Sequence, residues 1–217
     1  MILAIIGING KMGNRVYEYY KDKYQIVGVD KIKHKIVPTF SSLKEIESYD
    51  VVIDFSSPSS ITDLDYAIEA NKIVLSGTTG IDDSLIQELL LKSKGRFYWS
   101  CNYAKGIPIF LDIIKKIRPN YDDFDFVEIH ASTKKDSPSG TAKMLAKELN
   151  IDISKIQSLR LKLAPAIHEI IFTSKNERVI LRHEIINYEA FLEGLNIKLM
   201  EMIDNVKETI WNELLWL

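Results

Sequence analysis

The segment MILAIIGINGKMG, Met1–Gly13, decides how this chain folds. Its run from Ile2 to Gly7 is apolar at nearly every position, the pattern of a strand covered on both faces; a half-solvated strand would alternate. Three glycines follow, Gly7, Gly10 and Gly13, and a helix is expected from Met12 to Tyr20. Strand, glycine loop, helix: that order opens a parallel α/β domain.

Outward from this start, the alternation continues. QIVGVD (25–30), VVIDF (51–55), IVLSG (73–77) and RFYWS (96–100) read as further strands. Helices are expected at 59–70, capped by the Ser-Pro-Ser-Ser cluster, and at 82–93. Strands alternating with helices imply a Rossmann-like parallel sheet with right-handed crossovers. After Asn102 the character changes. A helix at 107–117, the strand DFDFVEIHAS and a helix at 141–149 precede the strand-like runs IQSLRLKL, IHEIIFTS and ERVILRHEI. Several alternate with period two, as half-buried antiparallel strands do, and SKNE is a plausible hairpin turn. The second part is therefore an α+β domain with its own sheet. From Tyr188 the tail is helical, with Phe191, Leu195, Leu199, Met202 and Ile203 near helical spacing, and is expected to return to the first domain. Residues 1–103 with 189–217 thus form one domain and 104–188 the other.

Bulk composition narrows the function classes. With 217 residues, 46% hydrophobic and 27% charged, the chain is an ordinary globular protein. A net charge of -2 argues against binding nucleic acid by phosphate neutralisation. The single cysteine, Cys101, excludes an internal disulfide and suits a reducing compartment. No apolar run reaches the roughly 20 residues that span a bilayer. WNELLWL at 211–217 is expected to dock on the body. The expectation is a soluble cytoplasmic protein with no membrane partner.

The glycine loop suits a dinucleotide: tight turn, close backbone approach to a pyrophosphate, and a helix N-terminus facing it. Asp30 ends the second strand, where an acid grips ribose hydroxyls. That favours NADH, while Lys31, Lys33 and His34 nearby leave NADPH open, or form a solvated surface run. Gly77-Thr78-Thr79 and Ser100-Cys101-Asn102-Tyr103 lie beyond later strands, where open α/β sheets bind ligands; ordinary turn chemistry accounts for either equally well.

The stretch KKDSPSGTAKML, Lys134–Leu145, adds a second anion site. Pro138 favours a helix start, and Ser139, Gly140 and Thr141 follow with amides expected to be available. Lys134, helped by Lys135, supplies positive charge, and His130 lies four residues upstream. Singly, each has a plain structural reading: a satisfied histidine, a solvated lysine pair, a helix cap. Together, beside a dinucleotide loop, they favour a carboxylate-binding catalytic site.

These residues resemble the 4-hydroxy-tetrahydrodipicolinate reductase (dihydrodipicolinate reductase) family. EIHASTKKDSPSGTA is similar to its E-x-H-H-x-x-K-x-D-x-P-S-G-T-A signature, and GINGKMG, VIDFSSP, GTTG and CNYAKG match its other motifs. SLR and HEIIF resemble further segments. The resemblance implies His130 as catalytic acid/base and Lys134 as proton donor. It implies Ser139, Gly140 and Thr141 as the substrate carboxylate site. It implies Gly7, Ile8, Asn9, Gly10, Lys11 and Met12, with Asp30, Gly77, Thr78, Thr79, Ser100, Cys101, Asn102 and Tyr103, as contacts to NADH or NADPH. The substrate implied is a cyclic imine dicarboxylate, reduced by hydride without a metal, and the assembly implied is a homotetramer. The family's second histidine is replaced by Ala131, an expected arginine by Tyr188, and glycines after SLR by Leu161 and Lys162. Two other readings stay open: another two-domain NAD(P)-dependent oxidoreductase, and a dinucleotide-binding regulator without turnover.

Overall fold

The computed structural model describes the backbone of residues 1–214 and side chains through Val206. The expected docking of the 211–217 tail lies outside the described side chains. The chain divides into two compact units, one formed by Met1–Ser100 with the helix from Leu195 onward, the other by Cys101–Gly194.

In the first unit, β1 (Ile2–Ile6), β2 (Gln25–Val29), β3 (Thr39–Phe40), β4 (Val51–Asp54), β5 (Ile73–Ser76) and β6 (Phe97–Trp99) form one sheet. Its order is β3-β2-β1-β4-β5-β6, and every pairing is parallel. The order reverses between β1 and β4, and a ligand crevice opens at such a switch point. Successive side chains of β1 serve opposite faces. Ala4 and Ile6 join Val52, Val74, Leu64 and Ile68 in one buried cluster, which α2 (Ile61–Glu69) and α3 (Asp83–Lys92) cover. Leu3 and Ile5, also fully buried, serve the other face. Tyr20, at the end of α1 (Lys11–Tyr20), donates to Asn196 Oδ1 at 3.3 Å, and Leu195 and Leu199 are fully buried.

Two local expectations need correction. The two-residue strand β3 was not legible as a strand. The helix expected from Ser59 begins instead as a 3₁₀ turn, Pro58–Ser60, and becomes α-helical at Ile61; neither Ser57 nor Ser60 caps it with its side chain. Their hydroxyls go elsewhere, Ser60 to Asp54 Oδ2 at 3.2 Å and Ser57 to Ser59 at 2.9 Å.

The second unit contains α4 (Gly106–Ile117), β7 (Asp123–Ala131), α5 (Gly140–Glu148), β8 (Ile156–Leu161), β9 (Ala166–Thr173) and β10 (Arg178–Ile185). The sheet order is β10-β9-β7-β8. β9 pairs antiparallel with both β7 and β10, and Ser174 and Glu177 close the hairpin. β8 departs from the antiparallel expectation. It lies parallel to β7, because α5 carries the chain back before β8 begins. Phe126, Ile170 and Phe172 pack on Phe110 and Ile114 of α4 and on Ala142, Leu145 and Ala146 of α5. Burying an aromatic or leucine side chain of this kind contributes about 1.5–3 kcal/mol. The opposite sheet face is open at Leu159, Leu161 and Ile180, all exposed. The C-terminal helix α6 spans Glu189–Leu214. Among the described residues, no helix is long and apolar enough to cross a membrane.

Candidate functional site

The first unit offers a cleft of about 680 Å³, lined by Gly7, Asn9, Gly10, Asp30 and Lys31, with Ser56 and Ser57 opposite. Glycine is required at its floor. Gly7 sits at φ +77°, and a Cβ there would lie 2.8 Å from the Phe55 carbonyl oxygen. A Cβ on Gly13 would lie 2.0 Å from the Gly7 carbonyl oxygen, so only glycine lets α1 pack this close to the loop. Asp30 braces the loop by accepting from the Asn9 amide at 3.1 Å and the Ile32 amide at 3.2 Å. This is a cradle that fits a dinucleotide: strand end, glycine turn, helix start and an acid at the end of the second strand.

The remaining residues expected at the cofactor are placed unevenly. Ile8 is fully buried, wedged against Gly28, and does not line the cleft. Lys11 and Met12 begin α1 but do not line the cleft. His34 is committed to its own loop, its Nδ1 accepting from the amides of Ile36 and Val37, each at 3.3 Å. Thr78 is a structural knot: buried, it accepts from the Ser56 amide through Oγ1 at 2.9 Å and from Trp99 Nε1 through its carbonyl at 2.8 Å. Gly77 packs against the Phe55 ring, and Thr79 is exposed. Ser100 donates its amide to Ser76 O at 3.1 Å. Within the second unit, burial pushes the Cys101 thiol up to about 11, and Tyr103 is buried. Asn102 donates to Thr141 Oγ1 at 3.0 Å, which joins that loop to the start of α5.

The second unit's site is built by strand register. Glu128 and His130 alternate onto the inner face of β7 beside Phe126. β8 sets Ser158 opposite Glu128 and Arg160 opposite His130; β9 sets His168 opposite Glu128. Five polar residues thereby meet on one otherwise apolar face. The Glu128 carboxylate, fully buried, accepts from Ser158 Oγ at 2.8 Å, Arg160 Nη2 at 2.9 Å and the Ser139 amide at 3.1 Å. Burial alone would raise its pKa, but the bonds from Ser139, Arg160 and Ser158 win and hold it below the usual carboxylate range. His130 Nδ1 lies 3.5 Å from Glu128 Oε2. Burial lowers the His130 pKa despite the Glu128 charge, and Lys134 and Arg160 lower it further. The His168 ring centroid is 5.4 Å from that of His130. Burial, helped by His130, pushes His168 down to about 3, so it is a neutral imidazole.

At the head of α5 one expectation is overturned. The Ser139 amide is not available to a ligand: it donates to both Glu128 oxygens, and Ser139 Oγ caps the helix by accepting from Ala142 N at 3.2 Å. Gly140 and Thr141 remain as first-turn positions. Lys134 Nζ pairs with Asp136 at 2.9 Å. Burial raises the Asp136 carboxyl, but Lys134 and then the amides of Asp136 and Gly140 outweigh it and hold the group low. An anion of the chain's own thus stands beside the lysine at the helix start. Sequence reading did not single out Ser158, Arg160 and His168 as site residues, nor Glu128 beyond its match to a motif. The available signal was their period-two alternation within SLR and HEIIF, which fixes a face but not a partner.

Two family models match this chain: dihydrodipicolinate reductase, N-terminus, over residues 1–103, and dihydrodipicolinate reductase, C-terminus, over residues 106–212. The 4-hydroxy-tetrahydrodipicolinate reductase of Thermosipho africanus is 30% identical over 213 residues, covering 95% of this chain and 93% of its own. That of Rickettsia peacockii is 32% identical over 222 residues, covering 88% and 89%. Among solved structures, the dipicolinate-bound dihydrodipicolinate reductase of Paenisporosarcina sp. TG-14 aligns with a TM-score of 0.78 at 20% identity, over 94% of this chain and 95% of that one. A hyperthermophilic archaeal homoserine dehydrogenase in complex with NADPH aligns with a TM-score of only 0.56. With both halves matched and relatives aligned along almost the whole length, the chain belongs to the dihydrodipicolinate reductase family.

Proposed function

We propose that this protein reduces 4-hydroxy-tetrahydrodipicolinate to tetrahydrodipicolinate in the lysine and diaminopimelate pathway, with NADH as the preferred reductant. The observation that carries the reading is the gathering of His130, Lys134 and the α5 N-terminus around one polar cluster, in a chain whose other unit holds a dinucleotide cradle. A bound reduced nicotinamide supplies a hydride to C4 of the substrate ring. In balance, the ring gains that hydride, loses its 4-hydroxyl as water with one proton, and leaves the oxidised dinucleotide. The chain's own residues hold the diacid and manage the proton. One substrate carboxylate takes the place of Asp136 at the Gly140 amide and, with Thr141, uses the first-turn N–H groups and the positive helix end. Lys134 stabilises the negative charge and donates the proton, and His130 acts as acid/base.

NADH is favoured because Asp30 stands where a 2′-phosphate would be repelled, while His34 is spent on its own loop. Lys31, which lines the cleft, is the group that would let NADPH serve as well. Ser100, Cys101, Asn102, Tyr103 and the Gly77–Thr79 turn complete the cofactor contacts in this reading. The active form is a homotetramer in the cytoplasm; the exposed apolar residues Leu159, Leu161 and Ile180 give the sheet a face for self-association.

The test is NADH consumption with freshly prepared substrate, joined to a crystal of the protein with pyridine-2,6-dicarboxylate. Oxidation of NADH, and a ligand carboxylate on the Gly140 and Thr141 amides, are expected. NADH bound but never oxidised would identify a dinucleotide-binding regulator instead.

A further inference from the structure

Glu128 is the most deeply committed charged group in the second unit, and its contacts reach in two directions. Toward β8 it is held by Ser158 and Arg160; toward α5 it takes the Ser139 amide with both oxygens, 3.1 Å each. Its Oε2 edge also lies 3.5 Å from His130 Nδ1, a buried atom with no hydrogen-bond partner. A buried imidazole nitrogen left unpaired is costly, so its placement beside a carboxylate calls for a reason.

We propose that Glu128 is a positioning residue that couples the two ends of the site: one carboxylate fixes the helix start that receives the ligand and backs the imidazole of His130. The inference rests on the proposed roles of α5 and His130. If His130 gains a proton, its Nδ1–H has one acceptor within reach, Glu128 Oε2, and a small ring rotation turns the contact into a charge-assisted hydrogen bond. The same oxygen then shares its charge between His130 and the Ser139 amide. A diacid arriving at Gly140 and Thr141 brings a second carboxylate beyond the one that replaces Asp136, adds negative charge nearby and favours the imidazolium. By reciprocity, protonation of His130 tightens ligand binding. The logic is that of a carboxylate behind a catalytic histidine, with the helix cap as an added load.

Other groups face His130 and set the sign of each test. Arg160 on β8 and Lys134 in the following loop oppose its protonation, Asp136 favours it, and neutral His168 on β9 contributes no charge. His183 on β10 acts on His168 rather than on His130. Removing Glu128 and removing Arg160 must therefore move His130 in opposite directions.

The experiment follows the His130 imidazole by NMR titration in the full-length protein, with and without pyridine-2,6-dicarboxylate. Glu128→Gln keeps an acceptor for Ser139 and Ser158 but removes the charge. The His130 midpoint is expected to fall by about one pH unit, and the tightening of dicarboxylate binding on acidification to move down in pH with it. Arg160→Gln is expected to raise the midpoint, and decides alone if Glu128→Gln does not fold. Weak binding in Glu128→Gln with an unmoved His130 midpoint would reduce Glu128 to scaffolding and overturn the coupling, as would an unmoved midpoint in Arg160→Gln. The titration needs no turnover. Midpoints that shift as expected, in a protein whose NADH oxidation ignores them, would sustain the clamp and remove His130 from the proposed chemistry.

Discussion

Lys134 gives the sharpest separation of chemistry from stability. Its ammonium pairs with Asp136 at 2.9 Å, but the two side chains are 34% and 49% exposed. A pair this wet contributes at most about 1 kcal/mol to folding. Lys134→Met, which keeps the length and apolar stem, should therefore change unfolding free energy by less than about 1 kcal/mol. If the ammonium delivers the proton during reduction, kcat should fall by about 10²–10⁴, or roughly 3–5 kcal/mol of transition-state stabilisation. The two magnitudes do not overlap. Urea unfolding reads one and NADH oxidation under saturating substrate reads the other. Lys134→Arg refines the test: a guanidinium keeps the charge and the partner Asp136 but does not give up its proton. It should be as slow as Lys134→Met while binding dicarboxylate better. Were Lys134→Met to keep kcat within about threefold of the parent, the proton-donor assignment would fail. Were Lys134→Arg to be fully active, the lysine would be an electrostatic anchor only.

Two further outcomes follow from packing and burial. Gly13→Ala places a methyl 2.0 Å from the Gly7 carbonyl, backbone against backbone, so the loop and α1 must separate; fluorescence titration should show NADH binding weakened at least about tenfold, with about 1–3 kcal/mol lost in thermal unfolding. His168, held neutral by burial with a pKa of about 3 against an unfolded value near 6.5, makes stability depend on acid. The unfolded chain takes up that proton first, so the contribution is whole above about pH 6.5 and is lost as pH falls toward 3. Between pH 7 and 5 the parent should lose about 2 kcal/mol more than His168→Gln in urea unfolding. Parallel stability profiles for the two proteins would contradict a neutral buried His168.

Why some of this was readable in the sequence and some was not comes down to range. β1, β4 and β5 are buried on both faces, so their apolar runs announce them locally. β3 is two residues long and owes its existence to the Gly28 amide reaching Pro38 O, a contact that no local pattern carries. Alternation in β8 revealed which side chains share a face, but strand direction was set by the α5 crossover. The site divides in the same way. His130 and Lys134 lie within one short segment and were legible. The commitment of the Ser139 amide to Glu128 was not, since both look solvent-ready in sequence and meet only when β7 and α5 pack.

The departures from the family's residues weigh differently once faces are assigned. Ala131 follows His130 on β7 and so belongs to the other side of the sheet, paired in register with the exposed Leu161. Its small side chain removes nothing from the Glu128–His130 face. Tyr188 is partly exposed, with its ring tilted against that of Phe191 at 6.0 Å. What governs ligand entry in the proposed site is instead the pair of native anions around the start of α5. Glu128 is fully buried and tied by β8, so displacing it would leave the Ser139 amide without an acceptor and Arg160 without its carboxylate. Asp136 has a half-exposed side chain, and its ion-pair partner is one flexible lysine. A diacid approaching Lys134 would therefore exchange with Asp136 and leave Glu128 in place, inheriting a lysine and a helix end already arranged around a carboxylate.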